Sequence, residues 1–215
     1  TSWEVVKDIF LFMCSVGCRY SDVEYFKVND FDFDSSFPTF SWIQQKTSKS
    51  VRVPRTDISG LIFNKYSRGK SLDQKLFPRF SQQKFNKQLK LLLKDLKFNR
   101  LVSKTKMVGS RKEVVEGKLH ELISSHSSRR SFIKNLIDMG EMDYSSIMVL
   151  SGHSSYTEFL KYVSVNKEDL MKGSNLYRLG NKTEDEEIEE IIKIFKSLQE
   201  EQKEVFRSLV GMFQK

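Results

Sequence analysis

HSSRRSFIKNLIDMGEMDYSSIMVLSGHSSYTEFLKYV, residues 126–163, is the stretch from which the rest of the chain is best read. Its apolar spacing predicts helices from about Ser125 to Met139, Tyr144 to Leu150 and Ser154 to Val163, with Gly140 and Gly152 as breaks. On the first of these helices His126 and Arg129 lie three apart and share a face, so both can point at one anion. His153 follows Gly152, and Tyr162 comes nine residues later in FLKYV. Taken singly these are weak signals. A lone helical histidine is more often a satisfied core or surface group, and a tyrosine on an apolar helix is more often packing.

Upstream, Trp3, Val6, Phe10 and Met13, reinforced by Val5, Ile9 and Phe12, form an apolar stripe that predicts a helix from about residue 2 to 16, ended by Gly17. Ser21 followed by Glu24 reads as a capping box, so a second short helix is expected just after Arg19 and Tyr20. Arg19 then stands at a helix-to-helix junction. Trp42, Ile43, Val51 and Val53 flank a polar Lys46–Ser50 segment, which reads as a hairpin with Lys46 where the first strand meets its turn. Two more helices are expected, from about Asp57 to Tyr66 and from Ser81 onward. In the second, Phe85, Leu89, Leu92 and Leu96 face inward, and its lysines form what is usually a solvated face. Residues 101–123 read as a second hairpin or irregular strand pair. The expectation is a mainly α fold with a small antiparallel β-sheet, in the α+β class.

Composition narrows the function classes. The chain has 215 residues, 36 Lys and Arg, 28 Asp and Glu, and a formal charge of +8. Residues 181–215 hold 6 basic and 9 acidic residues, so the body before them holds 30 and 19. The body is thus +11 and the tail −3, so the body exceeds the whole net charge; a surplus of that size fits a polyanionic partner, because Lys and Arg release condensed counterions from phosphates. It fits a merely basic soluble protein equally well. Cys14 and Cys18 are no disulfide framework, and with His120, His126 and His153 they give no zinc spacing. They read as small buried apolar residues of a reducing compartment. No run of about 18 apolar residues and no leader-like segment is present, so a cytoplasmic, nucleoid-associated protein is expected.

Taken together, these residues resemble the tyrosine recombinase (phage-type integrase) family, most nearly the integrases of mobile elements from Bacteroides-like bacteria. The family's Gly-x-Arg-x-x-Asp/Glu box resembles VGCRYSDVEYF, which places its arginine at Arg19 and its acid at Asp22. Its hairpin lysine falls on Lys46 in WIQQKTSKSVRVP, its His-x-x-Arg on His126 and Arg129, its Gly-His on Gly152 and His153, and its nucleophile on Tyr162. The resemblance covers roughly Trp3 to Val163. Ile133 stands where a smaller apolar residue is usual, and Ser151 where Leu or Thr is frequent; neither is a reacting group.

The resemblance implies a catalytic domain over about 1–175, a C-terminal amphipathic or coiled-coil helix over 181–215, and an N-terminal DNA-binding domain that is absent from this chain. It implies site-specific cleavage and rejoining of double-stranded DNA through a 3′-phosphotyrosine, with Tyr162 as nucleophile and Lys46 as the acid for the leaving 5′ oxygen. Elementary chemistry agrees. A phosphodiester transition state gathers negative charge on its non-bridging oxygens, which Arg19 and Arg129 can bind as permanently charged forks, with His126 and His153 as further donors. Either histidine could also take the phenol proton. Asp22 would orient Arg19 or cap the second helix. Thr47, Ser48 and Lys49 are candidate DNA contacts beside Lys46. No cofactor and no metal are expected, because the cations do the work of a metal pair.

In the acidic tail Ile188, Phe195, Gln202 and Leu209 share one heptad position, and Ile191, Leu198, Val205 and Met212 another, as in a coiled-coil seam. A homo-oligomer, a tetramer on DNA joined through this helix, is expected by resemblance, with accessory DNA-bending proteins as possible partners. A helix folded back on its own body fits the pattern nearly as well. Two other readings stand beside the recombinase: a catalytically silent DNA-binding or assembly protein of the same fold, and an enzyme of the type IB topoisomerase kind.

Overall fold

Val6, Ile9, Phe12, Met13 and Val16 recur at spacings of three and four, and each is at most 1% exposed. They form the inward face of α1 (Ser2–Val16), the helix around which the other elements gather. In the computed structural model, which describes residues 2–32, 36–109 and 111–163, α1 packs against α3 (Asp57–Ser67), α4 (Gln82–Asp95) and α6 (Ser125–Met139). Trp3, at the edge of the expected stripe, is 37% exposed and donates its indole N–H to Gln88 Oε1 at 2.8 Å. Asp8 breaks the apolar pattern: it is buried, and it accepts from Lys65 Nζ at 2.7 Å and Tyr66 Oη at 3.0 Å, tying α3 to α1.

Gly17 ends α1 at φ +70°, and a Cβ there would lie 2.2 Å from the Phe132 ring, so glycine permits both the turn and the close approach of α6. The second helix, α2 (Tyr20–Val23), begins with Arg19 at its N-cap, and Asp22 Oδ2 accepts from the Arg19 backbone N–H at 3.1 Å. The cap is therefore Asp22 reaching back to Arg19, rather than the expected Ser21 and Glu24 pair. After a 3-10 turn (Val28–Asp30), β1 (Phe31–Asp32), β2 (Thr39–Ile43) and β3 (Ser50–Pro54) form an antiparallel sheet in that order, with Phe40 opposite Val53 and Trp42 opposite Val51. Their alternating side chains meet Phe12, Phe26 and Phe31; the Phe26 and Phe40 rings cross edge to face at 4.7 Å.

Ser81 caps α4, accepting from Lys84 N at 3.2 Å, and Phe85, Leu89, Leu92 and Leu93 are buried. Leu96 was expected inward but is 55% exposed, because the helix has ended at Asp95 and Leu93 fills the inward position. The expected second hairpin is present as β4 (Leu101–Val108) and β5 (Arg111–Lys118), paired from Leu101↔Lys118 to Val108↔Arg111 and followed by α5 (Leu119–Leu122). Two helices close the described body: α7 (Tyr144–Ser151), capped by Asp143, and α8 (Tyr156–Leu160), capped by Ser155. Left-handed glycines terminate α6 and α7, Gly140 at φ +69° and Gly152 at φ +65°. The architecture is mainly helical with two small antiparallel sheets. Among the described residues no helix is long and apolar enough to cross a membrane. The helix expected over 181–215 lies outside the described residues.

Candidate active site

Among the described residues Arg129 is the largest fully buried side chain, 1% exposed near the N-terminal end of α6. Its Nη1 donates to Gly17 O at 2.7 Å and its Nη2 to Ser151 O at 2.5 Å. Both acceptors sit where a helix has just ended, and the C-terminal carbonyls of α1 and α7 carry the negative end of each helix dipole. These carbonyls hold a buried cation in place without a carboxylate to cancel its charge.

Arg19 faces the same space from the α1–α2 junction. Its Nη1 is buried and has no hydrogen-bond partner. A guanidinium N–H removed from water and left unpaired is costly unless an acceptor arrives. Lys46 comes from the exposed turn between β2 and β3. That turn is pinned to the Arg19 junction, because buried Asp22 accepts from Arg19 N with one oxygen and from Gln45 N at 2.9 Å with the other. Asp22 thus does more than cap: it joins two elements that carry candidate site residues.

His126 lies one helical turn before Arg129, and its Nε2 is 3.4 Å from Tyr162 Oη. Tyr162 stands in the turn just past α8, anchored by fully buried Phe159, and its ring meets that of His153 edge to face at 5.3 Å. His153 follows the Gly152 cap; its Nδ1 is 2.8 Å from Ser151 Oγ, and its ring nitrogens lie 3.4–3.5 Å from Arg129 Nη2. Burial, then Arg129 and Arg19, push the His153 imidazole down to about 4. His126 is lowered too, by desolvation first and then by Arg130, Arg129 and Arg19. Burial and the Arg19 charge lower Arg129, while Tyr162 acts in the opposite sense.

Arg19, Lys46, His126, Arg129, His153 and Tyr162 all line one open pocket of about 430 Å³. Of the three turn residues expected at DNA, Thr47 lines it and Ser48 and Lys49 do not. Arg130 and Lys161 add positive charge, and Glu158 is the single carboxylate among the described lining residues, paired with Lys161 at 2.5 Å. The arrangement is a cationic cleft with a phenol beside an imidazole nitrogen and two guanidiniums a few ångströms away.

Sequence reasoning passed over Gln44, Ser151, Arg130 and Lys161. Arg130 had a signal, the doubled arginine of SHSSRRSF; Ser151 stood out only as a departure from the family pattern and Gln44 not at all, since their roles come from contacts across the fold.

The chain matches the model of the phage integrase family over residues 4–169. It belongs to that family. Its fold is similar to that of the phage integrase family's solved tyrosine recombinases. The Tn1549 transposon integrase in complex with circular intermediate DNA has a TM-score of 0.54 at 14% identity, over 80% of this chain and 57% of that one. XerH recombinase in its post-cleavage complex with palindromic difH has 0.54 at 17%, over 80% and 46%. XerA recombinase has 0.50 at 15%, over 84% and 64%. This integrase-family chain thus spans about half the length of the first two. No curated protein sequence matches it.

Proposed function

We propose that the chain is the catalytic part of a site-specific DNA recombinase that cleaves and rejoins strands through a 3′-phosphotyrosine at Tyr162, in the integration or excision of a mobile element. The observation that carries this reading is the placement of Tyr162 Oη 3.4 Å from His126 Nε2, in a pocket where Arg19 Nη1 is buried without a partner. DNA as the substrate is supported by the basic body, and by the DNA held in the similar Tn1549 integrase and XerH structures.

In the proposed step, Tyr162 Oη forms a bond to phosphorus as the bond to the 5′ oxygen breaks. The phenol proton passes to His126, and the Lys46 ammonium gives a proton to the departing 5′ oxygen, which would otherwise leave as a strongly basic alkoxide. Arg19 and Arg129 bind the non-bridging oxygens, where charge builds, and His153 adds a contact from the Gly152 cap. The phosphotyrosine keeps the energy of the broken diester, so a second 5′ hydroxyl can reverse the step. The heptads from Ile188 to Met212 support assembly as an oligomer on DNA.

The test is to incubate the protein with a pool of nicked random-sequence duplexes, denature, and look for covalent protein–DNA adducts. Wild type should form them and Tyr162→Phe should not, and the trapped DNA reports the preferred sequence. No adduct with wild type, or an adduct with Tyr162→Phe, overturns the proposal. Nicked products resealed to a second duplex support recombination, whereas adducts that reseal only their own strand favour the topoisomerase reading.

A further inference from the structure

Lys46 sits on an exposed turn, and an exposed turn by itself does not hold a long side chain in one place. The residue two positions before it is placed very differently. Gln44 is 0% exposed, although its neighbours in sequence, Ile43 and Gln45, face solvent. Its amide is used at both ends: Nε2 donates to Ser151 O at 3.3 Å, and Oε1 accepts from Thr47 Oγ1 at 2.6 Å. The backbone of the same residue closes the turn, with Gln44 N donating to Lys49 O at 2.8 Å and Ser48 N to Gln44 O at 2.9 Å.

Ser151 O is also the carbonyl that receives Arg129 Nη2, so one oxygen takes a proton donor from the hairpin and another from the phosphate-binding arginine. Gly152 makes room for the contact, because a Cβ there would fall 2.4 Å from Gln44 Nε2. A glutamine suits both demands. A glutamate would set an oxygen against a carbonyl oxygen, and an apolar side chain would serve neither end.

We propose that Gln44 is a positioning residue that ties the Lys46 turn to the wall formed by Ser151, Arg129 and His153, so that the proton donor and the phosphate-binding groups keep one register. The inference rests on the reading of Lys46 as the acid for the leaving 5′ oxygen. It concerns the placement of that acid and no contact with DNA.

A change of leaving group separates placement of the acid from every other role. The recovered duplex is made in two forms, with oxygen or with sulfur as the 5′ bridging atom at the scissile phosphate. A thiol of pKa about 8.5 leaves as the thiolate without a donated proton, so the sulfur substrate bypasses the acid. Lys46→Ala should slow the oxygen substrate by roughly 100-fold or more and spare the sulfur one. Gln44→Met keeps the side-chain volume and loses both hydrogen bonds. It should slow the oxygen substrate by about 10- to 100-fold, as expected for a group misplaced by an ångström, and cleave the sulfur substrate at close to the wild-type rate.

Thr47→Val, at an exposed position whose replacement leaves the core intact, removes the Thr47 end of the clamp and should repeat the oxygen-specific slowing in weaker form, over any equal slowing of both substrates from its lost place in the pocket lining. Gln44→Met slowed equally on both substrates, or slowed on neither, overturns the positioning role. Should Gln44→Met fail to fold, Thr47→Val decides alone by the same criterion. Lys46→Ala that sulfur does not rescue overturns the acid role itself; rescue of Lys46→Ala without rescue of the Gln44 variant overturns only the present inference.

Discussion

Gly140 and Gly152 allow a controlled comparison, because each ends a helix in the left-handed region, at φ +69° and +65°, yet only one has neighbours. A Cβ at Gly140 meets nothing within 4 Å. At Gly152 it would lie 2.4 Å from Gln44 Nε2 and 2.6 Å from Val51 Cγ2, and both side chains are buried. Gly140→Ala should cost only the left-handed penalty, about 1–2 kcal/mol, partly offset by a less flexible unfolded chain. Gly152→Ala carries the same backbone cost plus overpacking, about 1–3 kcal/mol more, since both neighbours are buried side chains. With a urea m-value near ~2 kcal/mol/M, the Gly152 variant should unfold about 0.5–1.5 M earlier than the Gly140 variant, with unchanged slope. The displaced side chain is Gln44, so Gly152→Ala should also lose cleavage of bridging-oxygen DNA while Gly140→Ala retains it. Equal midpoints for the two variants would refute the claim that the α7 terminus and the Lys46 hairpin are in tight contact.

Arg129→Lys keeps a charge but lacks the fork that spans Gly17 O and Ser151 O, and adduct formation should fall by about 10²–10³-fold in single-turnover assays. The depressed His153 predicts a pH effect on stability. Between the unfolded value near 6.5 and the folded value of about 4, unfolding takes up a proton, so the contribution is complete above pH 6.5 and is lost as pH falls toward 4. His153→Asn should flatten that part of the stability profile, as read by denaturation at pH 7 and pH 5; an unchanged profile would count against the assignment. Inorganic phosphate should raise the His153 pKa in an NMR titration, because an anion beside Arg19 and Arg129 offsets the charges that depress it, and Arg19→Met should weaken this response. Binding to duplex DNA should fall steeply with salt, and a flat salt titration would remove the basic body as a source of affinity.

Much of this was legible in the chain because the signals are local. His126 and Arg129 are one turn apart, Gly17 and Gly152 punctuate helices, and alternation around Phe40, Trp42, Val51 and Val53 is a two-residue period. What stayed hidden depends on distant partners. In RYSDVE the local pattern marks Ser21 with Glu24 as the cap, whereas the structure uses Asp22 with the Arg19 backbone. The Asp22 carboxylate also accepts from Gln45 N, 23 residues on, a contact that no local pattern contains. Gln44 and Ser151 lie 107 residues apart, and nothing about a glutamine before a lysine marks it for burial. Burial of Asp8 likewise depends on Lys65 and Tyr66, which come from α3, 57 and 58 residues on.

The way Arg129 is satisfied bears directly on what the histidines can do. Had the fold paired this buried guanidinium with carboxylates, the local potential would be near neutral, and an adjacent imidazole would tend to hold its proton. Instead, its direct partners are carbonyls at two helix ends, and Arg19 Nη1 is left unpaired. The surplus positive charge joins desolvation in lowering His126 and His153. A neutral His126 has a free lone pair for the Tyr162 proton, which an imidazolium would lack. The same uncancelled charge would draw the phosphate of the proposed substrate, whose oxygens would complete the guanidiniums. In the proposed step, one structural choice, carbonyl instead of carboxylate as the partner of Arg129, would thus serve anion binding and keep His126 neutral, its lone pair available although its basicity is lowered.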